Sequence, residues 1–130
     1  MQKSVVITGA CFILLAIILG AFGAHALKAV LTEEKLISFE TGVRYQLIQG
    51  LALLILGTNA VKMNFEMKWI NRLLIVGTIL FSFSIYFLAL SDILGVRLKW
   101  LGPITPLGGS LMIIGWAIFI AKMIKRKDSN

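Results

Sequence analysis

The sequence has few of the residues that usually build metal, disulfide and acid–base sites. It contains one cysteine, one histidine and six acidic residues among 130 positions. The single Cys11 excludes an intramolecular disulfide and a cysteine metal cluster, and we interpret it as a small apolar packing residue. Because His25 is the only histidine, a haem or metal site that takes two histidines from one chain is also excluded. We therefore expect no cofactor and no metal.

Charge is scarce as well, and this scarcity indicates a membrane protein. Charged residues make up 15% of the chain and hydrophobic residues 58%, and the mean hydropathy is +0.92. A soluble domain of this size carries far more charge. Segments without Lys, Arg, Asp or Glu cover residues 4–27, 46–61, 73–91 and 101–121. Three of these segments meet the length of about 18 residues that a spanning helix needs, and the second does so once it is extended upstream.

These segments predict an all-α polytopic membrane protein, a four-helix transmembrane bundle that forms a single domain over residues 1–130. The spans are expected at residues 4–26, 41–61, 70–91 and 103–123, with a short basic tail at 122–130. Since the connections between the spans are short, little of the chain is left for a domain outside the membrane.

The second span needs an upstream extension, which brings polar residues into the membrane. Its apolar run, residues 47–61, covers about 22 Å of a hydrocarbon core about 30 Å thick. Further upstream, Thr32 is a suitable N-cap before Glu33 and Glu34, because the helix dipole favours acids in a first turn. This segment predicts a short interfacial helix between the first two spans, or else an early start of the second span.

The net charge of +7 is unevenly distributed along the chain. With four spans, eight of the thirteen Lys and Arg residues fall on the side that holds both termini, and the positive-inside rule makes that side cytoplasmic. We expect a multi-pass protein of the cytoplasmic (plasma) membrane, with the basic cluster at 122–127 against the anionic inner leaflet. This placement disfavours nucleic-acid binding.

The N-terminus also resembles a secretory signal, but its apolar stretch exceeds the usual length of about 7–15 residues, so we favour a retained span.

Polar residues gather at the predicted outer edge of the membrane, where polar groups need partners. The candidate ligand-binding residues are His25, Arg44, Tyr45, Gln46, Gln49 and Thr105. Arg44 has two competing protein partners, Glu40 one helical turn earlier and Asp92 at the outer end of the third span. A structural ion pair at Arg44 and a ligand site therefore both remain open.

Catalysis and proton-coupled transport find little support in the sequence. No nucleophile elbow or other framing motif accompanies the scattered hydroxyl groups, so we expect no enzymatic activity. Proton-coupled export needs an ionisable group deep in the membrane, and the first, third and fourth spans have no acid at mid-depth. Small residues such as Gly50 and Gly57, one heptad apart, instead favour close packing of helices.

Several motifs together resemble a known family. They are GAFGAHALK at 20–28, FETGVRYQ at 39–46, SIY at 84–86, and LGPITPLGG at 101–109 with Gly115 and Trp116. The chain is similar to the YgdD/YwdK-type family of small, functionally uncharacterised bacterial inner-membrane proteins. That resemblance implies four spans and no particular reaction. Many members carry a histidine at the position of Gln49, so this chain departs from the family there.

Two functions of different classes fit these observations. The first is an interaction or accessory protein of the cytoplasmic membrane, either homo-oligomeric or bound to another membrane protein. The alternative is binding or translocation of a lipid, quinone or other amphiphile at an outer-leaflet polar rim, where Arg44 would contact a phosphate or carboxylate. We favour the first, because helix packing explains most residues without a ligand. Membrane lipids are partners in both cases.

Overall fold

The computed structural model describes residues 1–128, which form α-helices joined by short turns, without a strand in that range. The α-helices are α1 (Lys3–Phe22), α2 (Glu33–Thr58), α3 (Lys68–Thr78), α4 (Ser84–Leu94) and α5 (Ile104–Lys125). The π-helical turn Gly23–Leu27 extends α1, and a second one, Ile79–Phe83, joins α3 to α4. Short 3-10 turns lie at Ala60–Met63 and Lys99–Leu101. Residues 129 and 130 of the predicted basic tail lie outside the described residues.

Three helical stretches are long and apolar enough to cross a membrane. They are Lys3–Leu27, Lys68–Leu94 and Lys99–Lys125. The helix α2 has 26 residues, which corresponds to about 39 Å, but Arg44, Gln46 and Gln49 lower its apolar character. An all-helical chain with apolar helices of membrane length is therefore confirmed, whereas a fourth span through α2 stays a prediction.

The start of α2 differs from the predicted interfacial helix. Thr32 caps the helix as expected, because its Oγ1 accepts a hydrogen bond of 3.3 Å from the backbone N–H of Lys35. Glu33 and Glu34 occupy the first turn, where their charge suits the positive end of the helix dipole. The helix then continues without a break to Thr58. The segment after Thr32 is thus an early start of α2, because no residue within it interrupts the helical hydrogen bonds.

Glycine residues bring pairs of helices into close contact. A Cβ atom built on Gly9 of α1 would lie 2.6 Å from the carbonyl oxygen of Gly50 in α2. Likewise, a Cβ atom on Gly77 of α3 would lie 2.8 Å from the carbonyl oxygen of Gly108 in α5. A larger residue does not fit at such distances, so glycine lets these backbones touch.

Contacts between α1 and α2 set the height of each polar residue along the molecule. Gly50 packs against Gly9, and Gly20 faces Val43, since a Cβ atom on Gly20 would lie 3.4 Å from Cγ1 of Val43. With a rise of about 1.5 Å per residue, Gly9 lies about 9 Å and Gly20 about 26 Å from the start of α1. The neighbourhood of Gly50 therefore lies about a quarter of the way along the extended α1, and Arg44, next to Val43, lies nearer the opposite end.

Candidate functional site

Gln46 is fully buried and connects three helices. Its side chain is 0% exposed. Its Nε2 donates a hydrogen bond of 2.9 Å to the carbonyl oxygen of Phe12 in α1. Its Oε1 accepts one of 2.7 Å from the hydroxyl of Tyr86 in α4. Because hydrogen bonds replace water for a polar group inside a membrane protein, this amide fixes the register of α1, α2 and α4.

A second hydrogen bond lies one helical turn from Gln46. The hydroxyl of Ser82 donates to the carbonyl oxygen of Gly42 at 2.8 Å. Gly42 and Gln46 are four residues apart, as are Ser82 and Tyr86, so each pair lies on one face of its helix. A side chain at position 42 would collide with Tyr86, since a Cβ atom there would lie 2.7 Å from Tyr86 Cε1. Neither Gly42 nor Ser82 is among the predicted site residues, although a small residue one turn before a polar one is a signal for such a contact.

Gln49 lies at the side of the molecule, in contact with α5. Its Oε1 accepts a hydrogen bond of 3.2 Å from the indole nitrogen of Trp116, and the residue is 7% exposed. Both residues line a cavity of about 580 Å³ together with Tyr45, Phe81 and Met112. We call this cavity the Gln49 groove. It combines aromatic and apolar walls with one amide, which is the usual composition of a small-molecule site.

A second groove lies between the first turns of α2, the first half of α4 and the start of α5. Its volume is about 620 Å³, and its lining includes Lys35, Ser38, Thr41 and Thr105. Here Thr105 Oγ1 forms a hydrogen bond of 2.6 Å with the hydroxyl of Ser84, which joins the start of α5 to α4. Its hydroxyl is thus already engaged within the protein.

The ion pair in this region differs from the predicted one. Asp92 pairs with Lys35, in the first turn of α2, through Lys35 Nζ and Asp92 Oδ2. Within residues 1–128, no ion pair joins Arg44 to Glu40 or to Asp92. The reason is that Lys35, near the N-terminal end of α2, brings its flexible ammonium group to Asp92 at the end of α4.

The predicted site residues do not form a single rim. Gln46 lies in the core, Tyr45 and Gln49 line one groove, and Thr105 lines the other. Arg44 and His25 are exposed, and neither takes part in a side-chain hydrogen bond within the described part of the chain. In the same part, no group of three His, Cys, Asp or Glu side chains is arranged to hold a metal ion.

Apolar helices of membrane length, tied together by buried hydrogen bonds and glycine contacts, define a small helical membrane protein. The model of a family described as a protein of unknown function, DUF423, matches residues 19–109. A UPF0382 membrane protein of Staphylococcus epidermidis is 37% identical over 124 residues, which cover 95% of this chain and 98% of that relative. One of Staphylococcus aureus is 40% identical with the same coverage. The chain therefore belongs to the DUF423 family of UPF0382 membrane proteins.

These comparisons confirm an uncharacterised membrane protein family and leave its role open. The YgdD/YwdK name and the four spans that it implies stay predictions. No solved structure matches the chain.

Proposed function

We propose that this chain is a four-span interaction protein of the cytoplasmic membrane that binds another membrane protein along the exposed face of α2. Arg44, Ile48, Leu51 and Ile55 recur at spacings of three and four residues, so they share one face of the helix. We call these four residues the α2 stripe. All four are exposed, and the three apolar ones are each at least half exposed.

Arg44 is the observation that carries this proposal. It is exposed and lacks an ion pair within residues 1–128. The contact of Val43 with Gly20 puts Arg44 roughly 10 Å below the end of the extended α1. A charged side chain at such a depth is costly against lipid and usually has a partner or reaches toward the interface. A partner chain that supplies a carboxylate would stabilise it.

A second copy of the chain is the simplest partner. Glu40 is also exposed and lies one turn before Arg44 on α2. If two α2 helices packed through the α2 stripe in parallel, Glu40 of each copy could reach Arg44 of the other. Such a pairing, shielded from water, would satisfy both charges and cover the exposed apolar residues.

Photo-crosslinking in native membranes tests this proposal. We expect a photoreactive phenylalanine at Leu51 to give discrete protein adducts, because Leu51 lies in the middle of the α2 stripe. The same residue at Ile7, exposed to the same extent and at a similar height on α1, is the matched control and should give none. Arg44→Leu should lower the adduct yield at position 51. Equal adducts from both positions, or none from position 51, would contradict the proposal.

The four-span topology has its own test. We propose that α2 crosses the membrane and that both termini are cytoplasmic, as the distribution of Lys and Arg supports. Reporters placed at Asn64 and after Asn130 should then both read cytoplasmic. If α2 stayed outside the membrane, both reporters would instead read the outer side of the membrane, and this result would contradict the four-span topology.

The alternative, an amphiphile held at an outer-leaflet rim, has weaker support. Gln46 and Thr105 form hydrogen bonds inside the protein. Their polar groups are therefore engaged away from a common outer site.

A further inference from the structure

Gln49 has a polar group that the protein itself does not use. The indole N–H of Trp116 can only donate, so its contact of 3.2 Å fixes the amide oxygen of Gln49 toward Trp116. The Nε2 group must then point away from the indole. Within residues 1–128, no hydrogen bond uses Gln49 Nε2, although the residue is 7% exposed and lines the Gln49 groove. An amide N–H without an acceptor is unfavourable in hydrocarbon, so a ligand that supplies an acceptor is stabilised here.

The walls of the Gln49 groove suit a flat ring. The rings of Tyr45 and Phe81 lie with their centroids 4.9 Å apart at an angle of 58°. Trp116 and Met112 of α5 line the same cavity. Aromatic and thioether side chains pack well against a planar, polarisable ligand. The cavity volume of about 580 Å³ is in the usual range for such sites.

The height of the Gln49 groove selects among lipid-soluble ligands that carry carbonyl groups. Gly50, the neighbour of Gln49, packs on Gly9, about 9 Å from the start of α1. Trp116 lies about 14 Å from the end of α5. Both positions lie inside a hydrocarbon core about 30 Å thick, Trp116 close to its middle and Gly50 nearer one side. The ester carbonyls of phospholipids belong to the interfacial region, whereas a ring on an apolar tail can carry its carbonyls deeper.

We infer that the Gln49 groove binds a lipid-soluble quinone, one carbonyl of which accepts a hydrogen bond from Gln49 Nε2. The ring lies between the Tyr45–Phe81 pair and Trp116, and the tail leaves toward the lipid. This site does not involve the α2 stripe, so it can be tested separately from the proposed interaction with another protein.

Quenching of Trp116 fluorescence tests this inference. Trp69 and Trp100 are exposed, so a Trp69→Phe/Trp100→Phe background leaves Trp116 as the reporter in the full chain. In phosphatidylcholine nanodiscs, decylubiquinone should quench this fluorescence in a saturable way. Gln49→Leu in the same background should weaken the affinity about 3- to 10-fold, the value of one hydrogen bond. Ser110→Ala, an exposed change elsewhere on α5, should leave the affinity unchanged.

Two further measurements keep the inference falsifiable. Decylbenzene has the same tail and no acceptor, so it should compete with decylubiquinone much more weakly. Ala117→Phe, an exposed position on the wall of the groove, should fill the cavity and abolish saturable quenching. Equal competition by decylbenzene would show an apolar cavity without carbonyl recognition and would overturn the inference, as would an unchanged affinity in folded Gln49→Leu. If Gln49→Leu does not fold, the decylbenzene comparison decides alone.

Discussion

Gln46 and Gln49 lie three residues apart on α2, yet their amides meet opposite surroundings. Gln46 is 0% exposed and uses both its oxygen and its nitrogen in hydrogen bonds to α1 and α4. Gln49 is 7% exposed and uses only its oxygen, toward α5. Both polar groups of the Gln46 amide are thus hydrogen-bonded to neighbouring helices, whereas within residues 1–128 the Nε2 group of Gln49 remains a free donor at the edge of a cavity. A polar residue in an apolar helix can thus link helices or recognise a ligand. Which role it has depends on whether the protein itself supplies partners for all of its donors and acceptors.

The largest effect in this comparison should come from Gln46→Leu. The change removes two hydrogen bonds and leaves the Tyr86 hydroxyl buried without an acceptor. We expect the free energy of unfolding to fall by about 2 kcal/mol, measured by sodium dodecyl sulfate titration followed by circular dichroism. A loss no greater than that of Gln49→Leu would contradict the structural role of Gln46.

Tyr86→Phe should have the next largest effect. It deletes only the hydroxyl that donates to Gln46 Oε1, and it keeps the ring that packs on Phe39 with centroids 5.1 Å apart. We expect a loss of about 1 kcal/mol in the same titration. The double variant Gln46→Leu/Tyr86→Phe should lose less than the sum of the two single changes, because it leaves no unpaired hydroxyl. Strict additivity would mean that the hydrogen bond contributes nothing.

Gln49→Leu should have little effect on stability. It removes one hydrogen bond of 3.2 Å at the edge of a cavity, and leucine restores apolar contact there. We expect a change of less than about 0.5 kcal/mol, together with the loss of quinone affinity described above. A large destabilisation would show that Gln49, like Gln46, mainly stabilises the helix bundle, and it would contradict this prediction.

The sequence predicts the general position of these residues better than their contacts. Long uncharged segments predict the helices, and the polar residues within α2 predict that hydrogen-bond partners exist. The partners themselves depend on the π-helical turn Ile79–Phe83, which adds one residue to a helical turn. This addition rotates the residues of α4 by about 100° relative to those of α3, so the face of α4 that meets Gln46 does not follow from the helical spacing in α3.

The ion pair shows the same limitation at longer range. Glu40 and Arg44 have the favourable local spacing, but the pair that forms, Lys35 with Asp92, joins residues 57 positions apart. Sequence spacing can rank only partners on the same helix. The contact between α2 and α4 follows from packing around Gly42, where the backbone is close enough to bring the two helix ends together.

Asp92→Asn should have the smallest effect, because its ion pair lies at the surface. The side chains of Lys35 and Asp92 are 29% and 77% exposed, so water and salt screen their attraction. We expect a loss of less than about 0.5 kcal/mol in low salt, which added salt should remove. The same titration at two ionic strengths measures it, with Glu66→Gln, an exposed acid that has no ion pair within residues 1–128, as the control. If Asp92→Asn instead cost as much as Tyr86→Phe, surface charge would hold α2 against α4 as firmly as the buried amide of Gln46. The difference between the fully hydrogen-bonded amide of Gln46 and the partly hydrogen-bonded amide of Gln49 would then no longer explain the stability of this fold.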